Sequence, residues 1–412
     1  MAEIQLKCVT CHRAYDKQEV DYTCPACGPI RGTLEVVYDL ETVRRRFRRE
    51  DLKASRENSH WRYLPVLPID QPERILPLSV GWTPLYRNPT LEREWQLKRV
   101  WIKDDSRNPT ASYKDRASSV GVVKALERGA RVVTAASTGN AASSWAAFTA
   151  LAGLETVIFV PRHAPRAKIA QLLLFGAKVL QVEGTYDEAF DLCMQAAEKW
   201  GWYNRSTAIN PYLGEGKKTA ALEICEQLDW QVPDYVFVPV GDGCIIQGMW
   251  KGFRDFYHLG FIDRLPRLIG VQAAGSAPLV TAWEKGQDTV EPVEPRTFAD
   301  SIAVGVPRDQ VKALKAVRES GGRFIAVEDD AIRQAMALLA RVGGIMAEPA
   351  AAAAFAGLRK MVLENLLPSH STVLVQITGS GLKDIDGVFQ AVRQSPIRIE
   401  NSLAAVERAL KV

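Results

Sequence analysis

From about residue 99 onward, short apolar runs alternate with longer amphipathic stretches along the chain. The apolar runs include VWIKDD, VVTAAS, TVIFVP, AKVLQVE, YVFVPV, LIGVQA, RFIAVED and TVLVQIT. They are largely continuous in apolar character, which is typical of strands that helices cover on both faces. Their regular alternation with helical stretches predicts strand–helix–strand units and parallel sheets. The expected fold class is therefore α/β, with ligands bound beyond the carboxyl ends of the strands.

The length and composition of the chain fit a protein that acts on a small molecule. Its 412 residues, 47% of them hydrophobic, can bury a large core in two or three domains. Fifty-two basic and 48 acidic residues leave a formal charge of +4, too weak to predict a nucleic-acid or membrane partner. The first residues lack the pattern of a signal peptide, and no apolar stretch approaches the ~20 residues that span a bilayer. We expect a cytoplasmic protein with no nucleic-acid partner and no membrane association.

Four of the seven cysteines lie in two close pairs near the N-terminus, Cys8 with Cys11 and Cys24 with Cys27. Twelve residues separate the pairs, which is a spacing of two knuckles that close on one tetrahedral zinc ion. Four thiolates leave no open position, so the zinc would be structural. The alternatives are a knuckle without its metal or a redox-active pair. The sequence thus predicts a zinc-ribbon-like module over residues 1–40.

A basic segment, residues 43–51, follows this module. It holds five arginines and ends with Glu50 and Asp51. Such a run is compatible with nucleic-acid binding. The simpler interpretation is one solvated face of a short helix.

A lysine follows a turn that contains Asn108 and Pro109. The stretch SRNPTASYKDR places Lys114 at the expected start of a helix. The positive end of the helix dipole disfavours the ammonium form. A lowered pKa suits a lysine that acts as nucleophile or forms an imine with an aldehyde cofactor. A surface lysine that caps the turn is the alternative.

Two further turns connect apolar runs to helical stretches. The first consists of Ser137, Thr138, Gly139 and Asn140, and the second contains Gly241, Asp242, Gly243, Cys244 and Ile245. Backbone N–H groups at such a helix start bind carboxylates or phosphates. Glycines let the backbone wrap closely around an anion. Taken alone, the first turn is also compatible with an ordinary helix cap.

In their order along the chain, these three segments resemble the tryptophan-synthase-β type of pyridoxal-phosphate enzyme, known as fold type II. The resemblance implies that Lys114 binds the cofactor covalently and transfers protons. It implies that the turn at 137–140 holds the substrate carboxylate, with Asn140 against the phenolic oxygen of the cofactor. The loop 241–245 would bind the cofactor phosphate.

The same resemblance implies a division into domains and a homodimer. Residues 46–120 and 211–412 would form a large cofactor-binding domain, and residues 121–210 a small mobile substrate domain. Enzymes of this fold usually pair through the large domain.

Further segments resemble threonine synthases. They are TGSGLKD at 378–384, NPYLGEGKKT at 210–219 and the cysteine pattern at the N-terminus, whereas Glu348-Pro-Ala resembles an active-site edge common to fold type II as a whole. By this resemblance, the Thr378 hydroxyl meets the pyridine nitrogen of the cofactor. The implied reaction removes protons from the α and β carbons of O-phosphohomoserine, expels phosphate from the γ carbon and adds water at the β carbon. The implied products are threonine and phosphate.

Other reactions stay open, because the stretch TFADSIAVGVP at 297–307 is closer to threonine and serine dehydratases. The alternatives are β-elimination from threonine or serine and β-replacement on O-phosphoserine, as in cysteate synthase. A partner-binding module on an inactive enzyme scaffold is the alternative from another class. A phosphorylated substrate also needs a second anion site, which Arg205, Lys217 or Lys218 would supply. For each of these three, an ordinary surface charge is the simpler interpretation.

Overall fold

The N-terminal unit is a small antiparallel sheet. The computed structural model describes residues 3–137, 139–162, 164, 166–184, 186–206, 208–392 and 395–410. The sheet has the order β2-β1-β3 and consists of β1 (Ile4–Cys8), β2 (Ala14–Tyr15) and β3 (Leu34–Tyr38), with helix α1 (Gly28–Arg31) after the second cysteine pair. The Tyr38 hydroxyl donates to Glu215 Oε2 over 2.6 Å, and both residues are buried. This contact joins the unit to the rest of the chain.

The basic segment forms two short helices, α2 (Leu40–Arg46) and α3 (Arg49–Ala54), and the prediction of one helix is wrong. The break falls at Phe47, whose backbone is extended and whose ring packs 5.2 Å from that of Phe261. Burial of this ring turns the chain inward between the helices. The arginines at 44–46 are exposed, as expected for a solvated face.

A six-stranded sheet has the strand order β12-β11-β10-β13-β5-β4. Its strands are β4 (Leu85–Arg87), β5 (Arg99–Asp104), β10 (Tyr235–Pro239), β11 (Arg267–Ala273), β12 (Arg323–Val327) and β13 (Thr372–Ile377). All neighbouring pairs are parallel except β4 with β5 at one edge. The predicted parallel strand–helix–strand arrangement is confirmed.

A second parallel sheet has four strands in the order β8-β7-β6-β9. Its strands are β6 (Val132–Ala136), β7 (Glu155–Pro161), β8 (Lys178–Val182) and β9 (Tyr203–Asn204). All four lie within the range 121–210 that the sequence assigned to a small domain. The domain boundaries and the mobility of this region stay predictions.

Helices cover both parallel sheets. The helices of the described chain after α3 are α4 (Pro89–Glu94), α5 (Lys114–Glu127), α6 (Asn140–Leu151), α7 (Arg166–Leu174), α8 (Tyr186–Trp200), α9 (Tyr212–Gln227), α10 (Cys244–His258), α11 (Pro278–Glu284), α12 (Gln310–Glu319), α13 (Asp329–Gly343), α14 (Pro349–Leu363), α15 (Ile385–Ala391) and α16 (Leu403–Leu410). Short 3₁₀ helices span His60–Val66, Pro72–Arg74, Asp105–Arg107, Ala274–Ser276, Asp300–Ile302 and Gly381–Lys383. Within the described ranges, no helix is both long and apolar enough to cross a lipid bilayer.

The hydrophobic core lies on both faces of the six-stranded sheet. Successive side chains of β10 point to opposite faces. Val236 and Val238 join one buried cluster, and Tyr235 and Phe237 join the other. Both faces are therefore apolar, which explains why the strand sequences are continuous apolar runs. The polar residues that follow the strands collect at the carboxyl edge.

Candidate active site

A cleft lies beyond the carboxyl ends of β6, β10 and β13, and it collects most of the residues that the sequence singled out. The predicted residues that line it are Lys114, Ser137, Asn140, Gly241, Asp242, Gly243, Cys244, Ile245 and Thr378. Gly139 lines a smaller pocket beside Asn140. Thr138 lies outside the described residues. Segments far apart in sequence therefore meet around one space, as expected at the carboxyl edge of parallel strands.

Lys114 is the first residue of α5, where the sequence placed it. Two hydrogen bonds donated by backbone N–H groups hold the turn before it, one accepted by a backbone carbonyl and one by a side-chain carboxylate. Tyr113 N donates to Thr378 O over 2.8 Å, and Thr110 N donates to Asp115 Oδ2 over 2.6 Å. The first contact fixes the lysine turn against the end of β13, so Lys114 and Thr378 share the cleft.

The pKa of Lys114 lies below its ordinary value. Burial is the largest cause, and the guanidinium of Arg205 acts in the same direction. The carboxylates of Glu348 and Asp242 oppose the shift without cancelling it. The direction agrees with the prediction, although that prediction rested on the helix dipole. A lowered pKa increases the neutral amine fraction, which an imine-forming lysine needs.

Asn140, the first residue of α6, is held by a buried carboxylate. Its Nδ2 donates to Glu348 Oε1 and Oε2 at 2.9 Å each. Burial raises the pKa of Glu348. A Cβ on Gly379 would lie only 2.4 Å from Glu348 Oε1, so the glycine permits this approach. The sequence marked Glu348 as an edge residue and gave it no role. The structure shows that it orients Asn140.

The glycine turn after β10 presents the N-terminus of a 15-residue helix to the cleft. Gly243 has a φ of 90°, and α10 begins at the next residue, Cys244. A Cβ on Gly243 would lie 2.6 Å from Ala313 Cβ, so the position requires glycine both for its backbone and for its space. The Asp242 backbone carbonyl accepts from Asp309 N over 3.0 Å, which braces the turn from outside. Unpaired N–H groups at such a helix start favour an anion.

Three cations proposed for a second anion site are not surface charges, and the simpler interpretation is wrong for each. Arg205 is 2% exposed, and Lys217 and Lys218 are 0% exposed. The packing of α9 between α5 and α10 buries the two lysines. Lys218 Nζ pairs with Glu215 Oε2 at 2.6 Å and Asp255 Oδ2 at 2.7 Å, so its charge is neutralised within the protein. Arg205 lines the cleft.

The four N-terminal cysteines converge on one point. Their sulfur atoms all lie within 4.8 Å of one another, and the Sγ atoms of Cys11 and Cys24 are 3.7 Å apart. Four sulfurs at about 2.3 Å from a tetrahedral zinc would be about 3.8 Å apart. Cys8 and Cys24 are fully buried, while Cys11 is exposed. The donor set and its spacing fit a structural zinc.

Comparison with known proteins gives a family match and full-length relatives. The family model described as "Pyridoxal-phosphate dependent enzyme" matches residues 76–379. The chain is 42% identical over 407 residues to a protein from Methanocaldococcus jannaschii named threonine synthase, which covers 98% of this chain and 99% of that protein. A threonine synthase from Methanosarcina acetivorans is 40% identical over 98% of both chains. One from Mycobacterium tuberculosis is 37% identical over 84% of this chain and 94% of its own length.

Solved structures share the fold at lower identity. The processed form of threonine deaminase isoform 2 from Solanum lycopersicum matches with a TM-score of 0.65 and 22% identity, over 79% of this chain and 90% of that chain. A fungal L-serine ammonia-lyase from Rhizomucor miehei matches with a TM-score of 0.66 and 19% identity, over 75% of this chain and 96% of that chain. These structures support the two-sheet architecture described above.

Proposed function

The chain belongs to the pyridoxal-phosphate dependent enzymes and to the threonine synthase family, and we propose that it catalyses the threonine synthase reaction. The proposed reaction converts O-phosphohomoserine and water to threonine and phosphate, so the enzyme is a carbon–oxygen lyase acting on phosphate. The observation that carries the proposal is the 42% identity to a threonine synthase over 98% of this chain. Such a match covers the cleft and the segments that build it.

The residues of the cleft fit pyridoxal phosphate. Lys114 offers an amine of lowered pKa, and the N-terminus of α10 offers N–H groups to a phosphate. Thr378 lines the same cleft at the end of β13. When bound, pyridoxal phosphate supplies an electron sink for negative charge that develops at the α and β carbons of the substrate. The chain supplies attachment, orientation and proton transfer.

The residues of the cleft then have the following roles. Lys114 attaches the cofactor and moves protons at the α and β carbons. The loop 241–245 would hold the cofactor phosphate, and the neutral Thr378 hydroxyl would serve the pyridine nitrogen. Asn140, which Glu348 orients, would serve the phenolic oxygen.

The turn that begins at Ser137 holds the substrate carboxylate. Its remaining members are Thr138, Gly139 and Asn140. The helix α6 begins within this turn, so backbone N–H groups are available to a carboxylate.

A second reaction, β-elimination from threonine or serine, is favoured by one observation. Ser301 and Ile302, from the stretch that resembles dehydratases, line the cleft. β-Replacement on O-phosphoserine uses the same lysine and is the third candidate.

We also propose that the four-cysteine site holds one structural zinc and that the enzyme is a cytoplasmic homodimer. The convergence of the four sulfurs supports the zinc. The fold-type resemblance supports the dimer. Sedimentation equilibrium of the cofactor-loaded protein tests the dimer, since a monomer at micromolar concentration would contradict it.

The experiment that tests the function offers three substrates separately to cofactor-loaded protein: O-phosphohomoserine, threonine and O-phosphoserine. Phosphate, threonine and 2-oxobutyrate are measured from each. We expect equal amounts of threonine and phosphate from O-phosphohomoserine. Formation of 2-oxobutyrate from threonine alone would identify a dehydratase instead and refute the proposal.

A further inference from the structure

Lys217 of α9 is a buried lysine whose charge has no partner. It is 0% exposed, and its Nζ makes no hydrogen bond or ion pair with any residue that the structure describes. Its neighbour Lys218 has two carboxylate partners, as described above. An uncompensated ammonium in the protein interior is strongly unfavourable. A ligand that supplies negative charge would remove this penalty.

Lys217 lies on the face of α9 that packs against α10, and its amine interacts electrostatically with Cys244, the first residue of α10. A Cβ on Gly248 of α10 would lie 2.8 Å from Lys217 Cβ, so this glycine lets the two helices approach closely. The Lys217 carbonyl accepts from the Tyr113 hydroxyl over 2.6 Å, which fixes the backbone of α9 beside the lysine turn. Lys217 therefore lies between the lysine turn and α10.

The groups that act electrostatically on Lys217 are those of the cleft. Burial lowers the pKa of its amine to about 7, and the charges of Arg205 and Lys114 act in the same direction. Cys244 and Asp309 oppose the shift. Asp309 itself lies 3.2 Å from the amine of Lys312, so its negative charge is already shared. The amine of Lys217 is therefore close enough to Lys114 and Arg205 for their positive charges to disfavour its ammonium form.

We propose that Lys217 is a binding residue for a phosphate monoester seated at the N-terminus of α10. The inference rests on the proposed function, which provides two such groups, the phosphate of the cofactor and the phosphate of the substrate. A phosphate dianion would accept hydrogen bonds from the backbone N–H groups of α10 and from the Lys217 ammonium. Lys217 would then contact the phosphate from one side, and the glycine turn would contact it from the other side.

The first test compares wild type and Lys217→Met by equilibrium dialysis of the cofactor-free protein against pyridoxal phosphate and against pyridoxal. Loss of one charge-assisted hydrogen bond predicts binding of pyridoxal phosphate weakened about 10- to 100-fold. Binding of pyridoxal, which has no phosphate, should stay unchanged. Lys315→Met, on the exposed side of α12, is the matched control and should leave both affinities unchanged.

Stability of the cofactor-free protein separates ligand binding from a structural role. Lys217→Met removes an unpaired buried amine, so its thermal midpoint without cofactor should equal or exceed that of wild type. A lower midpoint would show that the amine supports the fold and would overturn the inference. The thermal midpoint also tests the proposal if the variant is difficult to purify in active form, because this measurement needs no enzymatic activity.

Steady-state kinetics distinguishes the two sources of phosphate. A KM for O-phosphohomoserine raised about tenfold or more at saturating cofactor, with unchanged affinity for pyridoxal phosphate, assigns Lys217 to the substrate phosphate. If neither the cofactor affinity nor this KM changes, the inference is wrong. If wild type forms no threonine from O-phosphohomoserine, the proposed function fails. The comparison of pyridoxal phosphate with pyridoxal still tests Lys217 in that case.

Discussion

Replacement of Glu223 by glutamine should destabilise the protein more than replacement of any exposed carboxylate. Glu223 lies on α9 and is 0% exposed. Its Oε2 is 2.7 Å from both Arg116 Nη2 and Lys103 Nζ, and Arg116 Nε contacts Asp105 Oδ2 at 2.6 Å. Glutamine keeps the size of the side chain and removes its charge, which leaves two buried cations with one carboxylate.

The expected loss follows from the cost of breaking a buried ion pair, about 3–5 kcal/mol. For a 412-residue chain with about 2.1 cal/mol/K of unfolding entropy per residue, that loss would lower the thermal midpoint by roughly 3–6 °C. The matched control is Glu155→Gln, whose partner Lys178 is 66% exposed and which is itself 47% exposed. Exposed ion pairs contribute about 0–1 kcal/mol, so Glu155→Gln should change the free energy of unfolding by no more than this. Urea unfolding of the cofactor-loaded enzymes gives the free-energy loss of each variant, and thermal unfolding gives the shift of each midpoint.

The stability that Glu223 contributes should decrease as the pH falls. Burial alone would raise the pKa of Glu223, but Arg116 and Lys103 lower it well below its ordinary value. The contribution of Glu223 is therefore fully present above the unfolded pKa of about 4.3 and is lost as the pH falls below it. If Glu223→Gln costs no more than Glu155→Gln at pH 7, the buried network does not stabilise the start of α5, and the reasoning is refuted.

Three further predictions concern the cleft and the cysteine site. Lys114→Ala should abolish both the visible absorbance of bound cofactor and threonine formation, and retained turnover would contradict its assignment. Asn140→Ala should lower kcat at least tenfold because it removes an orienting contact, and it should also lower the thermal midpoint because it leaves the buried Glu348 carboxyl group without this partner; an unchanged kcat would contradict this role. Cys11→Ser should lose the zinc equivalent measured by atomic absorption, whereas Cys193→Ser should keep it, and retention by both would refute the four-cysteine site.

The sequence predicts the strands and the lysine turn well because their signals are local. The continuous apolar runs reflect two buried sheet faces, and the turn residues Asn108 and Pro109 mark where the chain reverses before Lys114. Three turns resemble those of pyridoxal-phosphate enzymes, and each of them follows a strand. These strands all end at the same side of the molecule. Parallel topology alone then brings their residues into one cleft.

Features that depend on distant contacts were not predictable in this way. Asn140 and Glu348 are 208 residues apart, and only the completed fold brings the amide to the carboxylate. The burial of Lys217 and Lys218 depends on the close approach of α9 to α10 at Gly248. A pair of adjacent lysines resembles a surface feature when the packing partners are unknown. The glycines at the start of α10 are the signal in the sequence. They allow another helix to pack closely against α10, and such packing would bury the two lysines.

The reaction in water enriched in oxygen-18 distinguishes threonine synthesis from simple hydrolysis of the phosphate ester. Cofactor-loaded enzyme converts O-phosphohomoserine, and mass spectrometry locates the label in the products. Cleavage of the bond between the γ carbon and oxygen, followed by addition of water at the β carbon, predicts labelled threonine and unlabelled phosphate. Labelled phosphate together with homoserine would show simple phosphate ester hydrolysis and contradict the assignment as a threonine synthase.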